Sequence, residues 1–203
     1  SHSRTWLCAC GVTVPATAAW GTGMAASAHT RYVVVALSLP TTDHTAAMAM
    51  NTGEAQRMIT AAEKAGRRLA IHFNHRMNSY VQAMRRYVES GDLGDIYFAR
   101  TYWHRRRGIP NRPGFITKLQ SGGGAMIDLG VHQLDQLLFL LGHPEIQSLS
   151  AQVYTKFDKL DVPAMTMDVD DFSVAFVRCA SGVTMEMEIS WASHHDVDEN
   201  RLI

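Results

Sequence analysis

The chain lacks most features that would mark a specialised class. Charge is sparse and balanced: 19 basic and 19 acidic side chains among 203 residues leave no formal net charge. A polyanion binder needs a basic surface, and the one basic run, Arg105–Arg107, is too short to serve as a tail, so no nucleic-acid partner is expected. There are three cysteines, two of them in Cys8-Ala-Cys10. That is no disulfide framework and fits a reducing, cytoplasmic setting. No stretch reaches the ~18 consecutive apolar residues of a membrane span. What remains is ordinary: 46% hydrophobic residues and enough length to bury a core.

One stretch stands out. Ser121–Gly142 reads SGGGAMIDLGVHQLDQLLFLLG: a glycine lead, a long apolar segment, and a stop at Gly142 with Pro144 beyond it. Helical spacing places Asp128, His132 and Asp135 at i, i+4 and i+7, on one stripe about 60° wide. Most of the remaining circumference is apolar, as in a buried helix. Buried titratable groups are costly unless paired or facing a polar pocket. Three readings fit the stripe. His132 is clamped structurally between two carboxylates; or Asp128 orients His132 for proton transfer; or the stripe contributes to a metal site. The last needs ligands from elsewhere, and His194–Asp196 has no recognised ligand spacing, so no metal is expected.

Upstream, Gly21-Thr-Gly23-Met24-Ala-Ala26 has the G-x-G-x-x-A pattern of a phosphate-cradling loop, a weak signal alone. The acidic residue expected about 20 positions later is absent. Tyr32–Leu39 is an uncharged, β-branched strand closed by Pro40. Asn51 and Glu54 form a cap pair that opens a helix over Met58, Ile59, Ala62 and Ala65. Leu69–Phe73 is a second strand, so a βαβ unit with a parallel pair is predicted. A helix over Ser79–Ser90 ends at Gly91, a strand covers Ile96–Trp103, and a long basic loop runs to Gln120. Strands follow at Ile146–Tyr154, Asp170–Arg178 and Val183–Trp191, the last two joined by a hairpin at Ala180–Gly182. Met185, Met187 and Ile189 alternate with Glu186, Glu188 and Ser190; this Met face reads as core or as a subunit contact.

In order and spacing, Leu69–Arg76 (LAIHFNHR), Glu89–Ile96 (ESGDLGDI), Ser121–Gly142 and Asp170-Asp-Phe172 with Ala180–Thr184 (ASGVT) resemble the Gfo/Idh/MocA oxidoreductases, relatives of glucose–fructose oxidoreductase and inositol dehydrogenase. The resemblance covers roughly residues 32–203. It implies an α/β protein: a remnant Rossmann-type parallel sheet in a truncated NAD(P)-binding domain over 1–75, then a substrate-binding and dimerisation domain over 76–203 with a mostly antiparallel open sheet. It implies hydride transfer between NAD or NADP and a sugar or cyclic polyol, and a homo-oligomer formed through the C-terminal sheet. Asp128 and His132 match the family's D-x-x-x-H pair, His132 taking the hydroxyl proton and Asp128 orienting it. Gly21, Gly23 and Met24 match the dinucleotide loop. Pro40, Thr41 and His44 match its P-N-x-x-H turn, with Thr41 replacing Asn. Asn74, Arg76, Trp103, Arg107 and Lys118 fall where substrate contacts are expected.

The departures from the family pattern are specific. Only Thr30 and Arg31 stand where it carries the second strand and its ribose-binding acid. The Glu-Lys-Pro segment, whose lysine contacts the reacting oxygen, has no counterpart between His44 and Met48. The expectation is an internally deleted member cut at its C-terminus, with impaired hydride transfer. The alternative is a non-enzymatic binding or dimerisation module built on the C-terminal sheet.

Overall fold

A computed structural model of the chain describes residues 5–7, 13–15, 32–35, 49, 51–111, 113–157 and 167–203. It divides into two units, Ser1–His72 and Phe73–Ile203.

In the first unit, strands β1 (Thr5–Leu7) and β2 (Thr13–Pro15) pair antiparallel. Strand β3 (Tyr32–Val35), helix α1 (Thr52–Lys64) and strand β4 (Arg68–Ile71) follow, and β3 pairs with β4 in parallel. This is the predicted βαβ order. The cap is also as read: Asn51 Oδ1 accepts from Glu54 N at 3.0 Å while Asn51 Nδ2 donates to Glu54 Oε1 at 3.0 Å. The reciprocal pair satisfies an orphan donor of the first turn.

The second unit opens with a 3₁₀ turn, Asn74–Met77, and helix α2 (Ser79–Ser90), which ends at Gly91 as expected. Val81 is its buried anchor, whereas Tyr80 and Tyr87 are exposed. Strand β5 (Phe98–His104) comes next. The segment after it is not the long loop expected. It carries two four-residue helices, α3 (Pro113–Ile116) and α4 (Lys118–Ser121), and the Ile116 side chain is fully buried. With Ile109 and Phe115 packed part-buried into the same cluster, this core contact organises a stretch that its sequence presents as a long basic loop.

The long helix also departs from expectation. Met126–Gly130 is a π-helical turn, and helix α5 (Val131–Leu140) begins only after it. Gly142 lies just past the C-cap at φ 74°, a left-handed conformation that glycine adopts without strain. Strands β6 (Ile146–Tyr154), β7 (Phe172–Cys179), β8 (Thr184–Ser190) and β9 (Glu199–Leu202) complete the unit.

The sheet runs β6-β7-β8-β5-β9, with β5 and β8 parallel and every other neighbour antiparallel. The mostly antiparallel sheet is thus as predicted. Its inner face carries Ala99, Val177, Cys179, Met185 and Met187, packed with Leu137 and Leu138 of α5. A second cluster joins Ile116, Ala125, Leu129, Met167, Val169, Ile189 and Trp191. The Met face is therefore intramolecular core: Met185, Met187 and Ile189 are at most 2% exposed. Its expected use as a subunit contact is overturned, because α5 and the π turn already cover it. Period-2 alternation identifies a buried face but not what buries it. Among the described residues no helix is long and apolar enough to cross a membrane.

Candidate active site

The site is assembled by the π turn, α5, the 3₁₀ turn and the ends of β5 and β8. Its lead segment is docked by one carboxylate. Asp170 accepts from the backbone N–H groups of Gly124 (Oδ1) and Met126 (Oδ2), each at 2.8 Å, and from the Ser173 hydroxyl at 2.9 Å. Its carbonyl also accepts from Ala125 N at 2.8 Å. An acid at the start of a helical segment satisfies donors left without intrahelical partners. Gly124 permits the approach: a Cβ there would overlap the Asp170 carbonyl. The glycines of the SGGG lead thus include one required for close packing.

From that anchor the π turn delivers Asp128. Its Oδ2 accepts from Trp191 Nε1 at 2.9 Å, and Arg105 Nη1 stands 3.6 Å away. Arg105 also lies over the Trp103 ring at 5.6 Å. Asp128 is 7% exposed, so a cation and an indole donor compensate a carboxylate withdrawn from water.

One turn on, His132 is 5% exposed. Its ring stacks on His75 with centroids 4.4 Å apart, and Trp103 lies 6.4 Å from it and 5.4 Å from His75. Gln136 Nε2 lies 3.3 Å from His75 Nδ1 and also donates to the His132 carbonyl at 3.2 Å. Burial lowers the His75 pKa, so at neutral pH His75 is an uncharged ring beside His132.

Asp135, the third residue of the stripe, is taken by Arg76 in a two-pronged ion pair: Nε donates to Oδ2 at 2.7 Å and Nη2 to Oδ1. Arg76 also lies over the Phe73 and Phe139 rings, at 5.4 and 5.1 Å. Burial pushes the Asp135 carboxyl above its ordinary pKa, and Arg76 pulls the other way without cancelling it. The pair locks the 3₁₀ turn onto α5 and so holds His75 against His132.

Of the residues named from sequence, Asp128, His132 and Trp103 are drawn towards one another, and Arg76 sits behind them on Asp135. Asn74, Arg107 and Lys118 are exposed on the 3₁₀ turn, on the turn after β5 and on α4. Gly21, Gly23, Met24, Pro40, Thr41 and His44 lie outside the described residues. Three contributors were not singled out: His75, Trp191 and Arg105. His75 stood between two named residues in Asn74-His75-Arg76. Trp191 was read as the end of a strand and Arg105 as part of a charge run. Nothing local distinguishes them, because their roles come from contacts far along the chain.

Against known proteins, the model of the GFO/IDH/MocA C-terminal domain matches residues 81–203. D-glucoside 3-dehydrogenase of Escherichia coli (strain K12) is 34% identical over 153 residues, covering 71% of this chain and 43% of that protein. A putative UDP-kanosamine synthase oxidoreductase subunit of Amycolatopsis mediterranei is 33% identical over 154 residues, covering 70% and 42%. Among solved structures, levoglucosan dehydrogenase in complex with NADH superposes with a TM-score of 0.66 at 25% identity, covering 76% of this chain and 42% of that one. The chain thus spans less than half the length of these relatives. The match runs through the π turn, α5 and the whole five-stranded sheet: the chain belongs to the Gfo/Idh/MocA oxidoreductase family, and its residues 81–203 are that family's C-terminal domain.

Proposed function

We propose that this chain carries the sugar-binding and proton-transfer part of an NAD(P)-dependent oxidoreductase acting on a sugar or cyclic polyol. The observation that carries the reading is the cluster of buried His132 with half-buried His75 and Trp103, beside an Asp128 held by Trp191 and Arg105. A sugar hydroxyl entering against Trp103 would meet a flat ring for stacking and an imidazole for its proton. His132 is the proton acceptor, and Asp128 is the orienting acid that stabilises the imidazolium. Uncharged His75 stacks on His132 and keeps a second cation out of its neighbourhood. Positioned proton transfer of this kind contributes ~10²–10⁴-fold.

NAD or NADP, when bound, supplies the hydride acceptor. Gly21, Gly23, Met24, Pro40, Thr41 and His44 are the residues assigned to it, within a truncated cofactor domain over 1–75; residues 76–203 form the substrate domain. The parallel β3–β4 pair connected through α1 fits a nucleotide-binding sheet. Support from relatives is of the same kind: the E. coli relative is a glucoside dehydrogenase and a solved neighbour holds NADH. Asn74, Arg107 and Lys118 are exposed contacts for substrate hydroxyls, and Arg76 acts through the 3₁₀ turn. Turnover is impaired for want of the lysine. The reading includes a cytoplasmic setting, from the low cysteine content.

The test is to mix the purified chain with NADH and then with sugars, following nicotinamide fluorescence, thermal shift and turnover. Expected are a thermal shift with cofactor and slow turnover that His132→Ala abolishes. Absence of any shift at millimolar cofactor overturns the reading.

A second reading, association as a non-catalytic module, has its own support in the outer sheet face. Phe98 and Phe176 point there from β5 and β7 and are 40% and 43% exposed. A second copy of the chain is the partner proposed, giving a homo-oligomer. Light scattering that shows only monomer across a wide concentration range counts against it.

A further inference from the structure

On the outer face of the sheet, opposite Trp103 along β5, lies a cluster that the proton-transfer site does not use. In β5 the side chains of Thr101 and Trp103 face α5 and the catalytic cluster, so His104 faces the other way. The antiparallel register sets His104 of β5 directly opposite Glu199 of β9, with both side chains on one face. The His195 ring meets the His104 ring edge-on, with centroids 5.1 Å apart. The loop that carries His195 is anchored at both ends to the turn after β5. Ser193 N donates to the Arg105 carbonyl at 3.0 Å, and Arg106 N donates to Asp198 Oδ1 at 2.6 Å. One ligand atom from each of His104, His195 and Glu199 falls within 4.8 Å of the other two.

His104 is the unusual member. It is 6% exposed, yet among the described residues neither ring nitrogen makes a hydrogen bond. A buried ring with both nitrogens unsatisfied is costly, and a bound ion is one physical way to relieve that cost. Glu188 Oε1 stands 3.4 Å from Nε2 without the geometry of a hydrogen bond, and the other oxygen of Glu188 accepts from Arg100 at 3.3 Å.

We propose that His104, His195 and Glu199 bind a divalent transition ion of the zinc class. Two imidazoles and a carboxylate are borderline ligands that suit zinc and its first-row neighbours rather than magnesium or calcium. Ligation requires neutral imidazole. Burial, the largest influence on His104, lowers its pKa; Glu188 and Glu199 oppose that shift, and His195 and Arg100 add to it. Zinc–nitrogen bonds of about 2.0–2.1 Å bring tetrahedral ligands to roughly 3.4 Å from one another. The exposed His195 side chain has room to make that closure, and Glu188 or water completes the shell. The ion would clip the final strand and the His195 loop to β5, independently of any oxidoreductase activity.

The experiment uses the full chain with Cys8→Ser and Cys10→Ser, to remove competing thiols. Zn²⁺ alone is titrated calorimetrically, and Co²⁺ is followed by its visible absorption. Expected are one equivalent bound at micromolar affinity or tighter, tetrahedral Co²⁺ bands, and a raised melting temperature. His195→Ala and Glu199→Gln, both at accessible positions, should each weaken binding about tenfold or more, while His194→Ala leaves it unchanged. Lack of saturable binding below millimolar zinc overturns the proposal. So does unchanged affinity in His195→Ala and Glu199→Gln, or equal binding of Mg²⁺ or Ca²⁺.

Discussion

The indole N–H of Trp191 donates to the Oδ2 atom of Asp128 at 2.9 Å, tying the end of β8 to the π-helical turn ahead of α5. Both side chains are buried, Trp191 completely. Replacing the indole by Phe keeps an aromatic ring but removes the donor. Trp191→Phe should cost about 1–3 kcal/mol, the range for stranding a buried polar partner. Urea denaturation measures it. Any turnover present should fall as well, since Asp128 loses the contact that fixes its orientation.

The Arg76–Asp135 pair predicts an asymmetric mutational response. Arg76→Ala leaves a buried carboxylate without its cation and should destabilise by about 3–5 kcal/mol near neutral pH. The double variant Arg76→Met/Asp135→Leu removes both charges and should recover most of that loss. A double-mutant cycle by chemical denaturation reads the coupling; equal stability of Arg76→Ala and the parent chain would contradict the assignment.

Packing at Gly124 gives a prediction of the opposite kind. Gly124→Ala adds only a methyl group, but the methyl meets the Asp170 carbonyl, part of the backbone. Overpacking should cost about 1–3 kcal/mol or more. The melting temperature should fall, whereas Gly66→Ala, at a position with open space around it, should suffer only the strain of its positive φ.

Stability should depend on pH through three histidines. Burial lowers the pKa of His75, His104 and His143 below the ordinary value of 6.5. Between the lowered and ordinary values the unfolded chain binds more protons than the folded one, so stability rises with pH there. Their contribution is fully present above the ordinary histidine value and is lost as pH falls through the folded values. Asp135 works in the other direction at lower pH. Its raised pKa contributes stability below the ordinary Asp value of 3.8, lost as pH rises through the folded value. Melting temperature should therefore drop on acidification from pH 7 to about pH 5, and His75→Gln should flatten the slope.

Much of the secondary structure in both units was legible because its signals are local. The cap at Asn51, the stop at Gly91, the span of α2 and the span of β6 need only neighbours along the chain to satisfy backbone groups and fix dihedral angles. The alternation of Met185, Met187 and Ile189 marked the buried face of β8. Asp128 and His132 were recognisable as titratable groups in an apolar segment, an expense that calls for a use.

What the sequence determined by itself was therefore the periodicity of its elements, the family motifs they carry and the presence of buried titratable groups. Tertiary structure alone decided which group meets which. The π turn sends Asp128 to Trp191 and Arg105, while Asp135, seven residues on, is taken by Arg76. His75 became part of the site only because the 3₁₀ turn docks on α5. Gln133 of α5 is fully buried because it accepts from Thr101 and donates to Asn200 at 3.0 Å. Each of these contacts joins residues 23 or more positions apart. Helical spacing fixes angles within one segment, but the partner of a buried polar group depends on chain that returns from far away, and no local pattern encodes that.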